Sequence, residues 1–246
     1  MSVFRFKQFA VAQEGVAMRI NTDGVLLGAW VSLPQQTFAP KILDIGTGSG
    51  VIALMLAQRL CVSKVPQDFW VDALEPHLSS AQTAQKNFTN APWSSQMRLF
   101  NHTLQDYIDH SKRAEYHLIV SNPPYFEDSL RPPESDRQWV RHADSLPYVD
   151  LVKGVAALLN PTGHFGVILP AAQQNRMVEL SLQKGLFLRR KTLLYTLPER
   201  APKRALMEFV KKEEPLQCNS LTLYKADGKS YTSEYKSLTA DFYLAF

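Results

Sequence analysis

From about residue 41 onward, short apolar runs alternate with longer stretches whose apolar positions recur at helical spacing. The short runs predict strands over Lys41–Ile45, Phe69–Glu75, Met97–His102, Tyr116–Ser121, Phe165–Leu169, Phe187–Leu197 and Ala205–Lys212. The longer ones predict helices over Val51–Leu60, Pro76–Asn90, Pro147–Asn160 and Ala172–Lys184, with Pro161-Thr-Gly163 as a turn. Strands separated by helices argue for an α/β fold with a largely parallel sheet. The last two predicted strands have only Pro198–Arg204 between them, too short for a crossover helix. A hairpin is expected there, so the seven-stranded sheet should end with an antiparallel strand. Upstream, Met18–Trp30 is an apolar stretch with Thr22 and Asp23 as candidate helix caps, expected to pack over the strand ends. Downstream, Ser220–Tyr224 and Tyr231–Phe246 read as further strand or coil, and their aromatic residues as packing onto the domain.

The 246 residues, 45% hydrophobic and 20% charged, suit one domain with one large core. We divide it into a cap over 1–40, a catalytic core over 41–214 and an extension over 215–246. No apolar run approaches the ~20 residues of a membrane span. The basic N-terminus lacks the apolar stretch of a signal peptide. Two distant cysteines, Cys61 and Cys218, offer neither a disulfide framework nor zinc spacing, and the six histidines form no HExxH pattern. A metal-free site and a cytoplasmic setting are therefore expected. The net charge is +4, but between Lys184 and Lys212 nine basic residues face only Glu199 and Glu208. Such a stretch can hold phosphates, or it can be an ordinary solvated surface.

Three motifs fall at the carboxyl ends of predicted strands, where open parallel sheets bind ligands. The first is Asp44-Ile-Gly-Thr-Gly-Ser-Gly50, whose glycines Gly46, Gly48 and Gly50 let the backbone turn sharply beside a ligand. No Lys-Ser/Thr follows, which excludes a Walker A phosphate loop, and the run is not a full GxGxxG. Alone it could be a plain strand-to-helix turn. The second is Glu75, one strand–helix–strand unit later, placed to accept hydrogen bonds from both ribose hydroxyls. The pair signals a cofactor containing adenosine. The third, Asn122-Pro-Pro-Tyr125, separates the remaining classes. Its prolines stiffen the chain and leave the asparagine and the first proline's carbonyl as fixed acceptors beside an aromatic ring. A hydride-transfer enzyme has no use for that arrangement. A conjugated amine awaiting methylation does, because its lone pair is delocalised and two acceptors favour the pyramidal, nucleophilic form. Tyr125 can stack on the base. The catalytic candidates are thus Asn122, Pro123, Pro124 and Tyr125.

These motifs, in this order, resemble those of Rossmann-like class I amino-methyltransferases that use S-adenosyl-L-methionine. With Phe6-Lys-Gln-Phe9, Asn21–Trp30, Phe126 and Arg141-His142 included, the chain is similar over most of its length to the bacterial tRNA1(Val) (adenine-N(6))-methyltransferases. The resemblance implies that Gly46–Gly50 underlies the methionine moiety, that Asp44 reaches its amino group through water, and that Glu75 holds the ribose. It implies that Thr22 and Asp23 close over the methionine end and that Asn122, with the Pro123 carbonyl, grips the target amine. The stretch after the third strand departs from the pattern. Many relatives have an acidic residue there for the cofactor adenine, whereas this chain reads His102-Thr-Leu-Gln-Asp106, leaving Gln105 or Asp106 for the role. The implied partner is a tRNA, bound by a monomer through the basic stretch and Arg131, Arg137 and Arg141. Three alternatives stay open: an rRNA or DNA amine methyltransferase, a protein-glutamine methyltransferase (which usually carries a separate N-terminal helical domain), and a nucleic-acid-binding protein without catalysis.

Overall fold

The computed structural model describes residues 3–34, 39–63, 68–110, 115–124 and 146–246. Its centre is an eight-stranded sheet. The strands β3 (Lys41–Ile45), β4 (Trp70–Leu74), β5 (Met97–Phe100), β6 (Tyr116–Ser121) and β7 (Leu159–Pro170) run parallel. Strand β9 (Arg204–Val210) lies antiparallel between β7 and β8 (Phe187–Tyr195), and β10 (Gln217–Thr222) adds to the outer edge parallel to β8. The spatial order is β10-β8-β9-β7-β6-β3-β4-β5. All seven expected strands are present, and the expected hairpin joins β8 to β9. The sheet exceeds the expectation by one strand, β10. A separate ribbon pairs β1 (Val3–Arg5) with β2 (Ala10–Ala12).

Strand alternation explains the layers. Along β3, Ile42 joins one apolar cluster, whereas Leu43 and Ile45 join the other. The first cluster packs under α1 (Thr22–Trp30), α2 (Val51–Val62) and α3 (Leu78–Thr89), the second under α4 (Leu104–His110), α5 (Tyr148–Leu158) and α6 (Gln174–Leu182). Strands covered on both faces are buried at nearly every position, as β3 and β6 are.

Several expectations need correction. The cap of α1 is Asn21, whose Oδ1 accepts from the Gly24 N–H at 2.9 Å. Thr22 and Asp23 lie inside the first turn. Helix α4 was not expected. Its signal is Thr103, whose hydroxyl accepts from the Asp106 N–H and donates to the Asp106 carboxylate, a reciprocal cap three residues apart. The turn Pro161–Gly163 is a bulge inside β7: Tyr116 pairs with Leu159 but Leu118 with His164. Part of the segment read as strand or coil is a helix, α7 (Ser233–Thr239), whose Tyr235 is buried in the first cluster.

Candidate active site

The strand order reverses direction between β3 and β6, the position at which such sheets open a crevice beyond their carboxyl ends. A cavity of about 720 Å³ occupies it. Its floor is the turn from β3 to α2. Gly46, Gly48 and Gly50 all have positive φ, at 74°, 58° and 85°. The Gly46 and Thr47 N–H groups both donate to the Leu74 carbonyl at 2.9 Å, which fastens the turn to the end of β4. A Cβ built on Gly46 or Gly48 would meet nothing within 4 Å, so these two glycines leave open space toward a ligand. Gly50 differs. It does not line the cavity, and a Cβ there would lie 2.5 Å from the Phe88 ring, so its role is packing of α2 against α3.

Asp44 lies beneath this turn, fully buried and outside the cavity wall. Its Oδ2 accepts from the Thr47 hydroxyl at 2.6 Å and the Ala53 N–H at 3.2 Å. Oδ1 has no hydrogen-bond partner among the described residues. Burial pushes the carboxyl up to about 7, and the charge of nearby Glu75 adds to the rise, while the Thr47 and Ala53 hydrogen bonds oppose it. Glu75 does line the cavity. Its Oε2 accepts from the Gly48 N–H at 2.9 Å and its Oε1 from the His77 N–H at 3.0 Å. One carboxylate thereby joins the glycine turn to the start of the next helix, and each oxygen keeps a lone pair for a ribose hydroxyl. Asn87 gives a second brace. Its amide donates to the carbonyls of Ser49, in the turn, and Ala12, in β2, and its Oδ1 accepts from the Ala12 N–H.

The remaining candidates divide. Gln105 and Asp106 both line the cavity from the first turn of α4, with Thr103 and Leu104 beside them. Thr22 and Asp23 do not line it. The crevice wall there is Asn21 and Gly24, and Asp23 Oδ2 is paired with Arg204 Nε at 2.7 Å. Asn122, Pro123 and Pro124 form the wall at the end of β6, where the Ser121 hydroxyl donates to the Ile45 carbonyl at 2.9 Å and binds the two strand ends together. Tyr125, Arg131, Arg137 and Arg141 lie outside the described residues. Another part of the wall, Leu146, Pro147 and Asp150 at the start of α5, was missed by sequence reading, as was Asn21. A capping asparagine just before an apolar run was the available signal for Asn21. Among the described residues no group of three or more His, Cys, Asp or Glu side chains could hold a metal ion.

The donor set suits an adenosine-bearing sulfonium: a glycine cradle open to the cavity, the Glu75 carboxylate in its wall, and a buried carboxylate below the turn with one oxygen unpartnered among the described residues. With the sheet order, this makes the chain a class I S-adenosylmethionine-dependent methyltransferase. Solved structures share the fold. The chain aligns over 89% of its length with a structure from Agrobacterium tumefaciens described as a predicted O-methyltransferase, covering 96% of that chain at a TM-score of 0.68 and 18% identity. It aligns over 80% with TrmN from Thermus thermophilus, covering 51% of that chain at a TM-score of 0.53 and 21% identity. Residues 27–146 match the methyltransferase small domain family. The chain is 43% identical to a tRNA1(Val) (adenine(37)-N6)-methyltransferase of Trichodesmium erythraeum, over 99% of its own length and 98% of the relative's. It is 41% identical to the protein of that description from Bacteroides fragilis, over 98% and 97%. It belongs to the tRNA1(Val) (adenine(37)-N6)-methyltransferase family.

Proposed function

We propose that this enzyme transfers a methyl group to the exocyclic N6 of an adenine in tRNA, the adenosine 3′ of the anticodon of tRNA(Val). The observation that carries the reading is the position of Asn122. It ends β6 in the wall of the crevice whose floor is the Gly46–Gly50 turn, in a chain of this family. S-adenosylmethionine, when bound, supplies an electrophilic methyl group on a sulfonium. The chain's own residues do the rest. The Asn122 side-chain oxygen and the Pro123 carbonyl accept the two N–H hydrogens of the amine, which draws the nitrogen toward the pyramidal form. They also stabilise the positive charge that develops on it. Pro123 and Pro124 hold this pair rigid. A general base is unnecessary, since the nitrogen becomes acidic only on alkylation and then sheds its proton to water. Glu75 takes the ribose. Gln105 or Asp106 meets the adenine of the cofactor, and Asn21 serves at the methionine end where Thr22 and Asp23 had been expected. Tyr125 stacks on the target base, which in an anticodon loop is already partly unstacked and so less costly to extrude than in a duplex. Work on such a substrate is cytoplasmic, and a monomer suffices for it.

The deciding experiment has two parts. Protein and methyl-labelled cofactor are mixed with separate pools of tRNA, rRNA, DNA and protein, and tRNA nucleosides are analysed from cells lacking the enzyme. Label confined to N6-methyladenosine of tRNA, and loss of that nucleoside from the deletion strain, are expected. Label appearing only in another pool overturns the reading.

A further inference from the structure

The nine basic residues between Lys184 and Lys212 are one stretch in sequence but three groups in space. Five are engaged within the fold. Arg189 Nη2 and Arg190 Nη2 lie 2.7 and 3.6 Å from the buried Glu208 carboxylate. Arg204 pairs with Asp23, Lys191 Nζ donates to Gln174 Oε1, and Lys211 Nζ donates to the Leu159 carbonyl. Two more, Lys184 and Lys212, sit where β8 begins and β9 ends, as the pairing of Phe187 with Val210 shows. That is the amino end of the parallel strands, opposite the crevice. Only Arg200 and Lys203 remain. They occupy the turn between β8 and β9, whose last and first residues reach the carboxyl end of β7, with Arg204 opposite Pro170. Both are exposed, and neither forms an ion pair among the described residues.

A second loop meets this turn. Strand β10 ends level with β8, Thr222 opposite Tyr195, and the chain continues with Leu223 N–H donating to the Tyr195 carbonyl. The Cβ position of Gly228 lies 3.8 Å from Leu197, so the loop after β10 packs on the hairpin turn. It presents Lys225 and Lys229, both exposed. The same rim holds Glu199 and Asp227, but Asp227 is engaged within its own loop, accepting from the Lys229 and Ser230 N–H groups at 2.8 Å. Arg19 adds a further cation in the wall of the crevice itself. Neighbouring strands are about 4.8 Å apart, so the β9–β8 turn stands about 10–15 Å from the end of β6, within the span of a few nucleotides.

We infer that the paired loops carrying Arg200, Lys203, Lys225 and Lys229 form the docking surface for the phosphate backbone of the RNA whose base enters the crevice. The extra strand β10 serves to bring the second loop there. This rests on the RNA reading above. The test compares three double variants with the wild type: Arg200→Ala/Lys203→Ala, Lys225→Ala/Lys229→Ala, and, at the amino end, Lys184→Ala/Lys212→Ala. Each is assayed for tRNA methylation, cofactor affinity and the salt dependence of tRNA binding. Either rim variant should raise KM for tRNA about tenfold, leave kcat and cofactor affinity unchanged, and flatten the slope of log K against log salt by about 1.5 to 2, the share of two phosphate contacts. The amino-end variant should behave as wild type. A rim variant with wild-type KM and slope, or an amino-end variant that loses as much, overturns the docking surface while the enzyme remains a tRNA methyltransferase. If the wild type itself fails to methylate tRNA, the functional reading falls, and this surface with it.

Discussion

The Thr47 hydroxyl donates to Asp44 Oδ2 across 2.6 Å, so the ligand-facing turn is pinned to an acid that never meets solvent. That acid is held up to about 7 by its burial. Its unfolded value is near 3.8. Between these two pH values the native state keeps a proton that the unfolded state has lost, so stability falls as pH rises and the penalty is complete above about 7. The size of the shift corresponds to a penalty on the order of a few kcal/mol. Asp44→Asn cannot ionise. Melting curves without cofactor should therefore show the variant gaining on the wild type between pH 5 and pH 8, while its cofactor affinity at pH 8 drops. A stability difference independent of pH would show that Asp44 is already ionised in the folded protein.

Gly48 and Gly50 are two residues apart and both have positive φ, yet they should fail differently when changed to alanine. In both, alanine is forced into a left-handed backbone, at a cost of about 1–2 kcal/mol. Gly50→Ala adds a Cβ 2.5 Å from a Phe88 ring carbon and should lose further stability, about 1–3 kcal/mol more by denaturant titration. Gly48→Ala adds a Cβ into empty cavity space, so its larger loss should appear in cofactor affinity by calorimetry.

Glu208 has no exposed surface, and Arg189 and Arg190 converge on it while its Oε2 accepts from the Ser32 N–H at 3.1 Å. Arg190 also donates to the Trp30 carbonyl and covers the Trp30 ring at 3.8 Å, so this acid secures the carboxyl end of α1. Glu208→Ala takes the buried partner from both arginines, leaving Arg189 with the more exposed Glu214, and should cost about 3–5 kcal/mol. Lys41 and Glu115 pair near the surface, and Glu115→Ala should cost at most about 1 kcal/mol. Paired denaturation experiments on the two variants check the ranking.

Replacing Asn122 by alanine should lower kcat by about a hundredfold or more, the usual effect of removing a polar group aimed at developing charge. Cofactor affinity should stay within a fewfold of wild type. Single-turnover kinetics with saturating tRNA separates the two. Undiminished turnover would remove Asn122 from the chemistry.

Sequence periodicity revealed the elements that are buried on both faces. β3 and β6 each carry a short apolar run, Ile42-Leu43 and Leu118–Val120, with a glycine- or proline-rich stretch soon after it, a pattern that reads as a buried strand. β10 was less visible because most of its residues are exposed and polar, and what makes it a strand is its pairing with β8, a distant segment upstream. Helix α4 is only seven residues long and is defined by its Thr103 cap more than by any apolar stripe. At the site, Gly46, Gly48, Glu75 and Asn122 were readable because each chemistry is local to its own motif. The places of Thr22, Asp23 and the nine basic residues were not. Whether Asp23 faces the cavity or Arg204, and whether Arg189 meets solvent or Glu208, depends on chain segments far away in sequence.

The Asn87 amide ties the amino-terminal ribbon to the glycine turn, since one nitrogen donates to a carbonyl of each. Pulling β2 away would strip Ala12 from that amide and leave Ser49 held by a side chain free to rotate. The ribbon β1-β2 contributes no strand to the main sheet, yet it steadies the glycine turn that lines the cavity. Removing the ribbon would also uncover the core at Phe6, Phe9 and Val11, so a chain shortened from the amino end should lose stability together with its grip on the methyl donor.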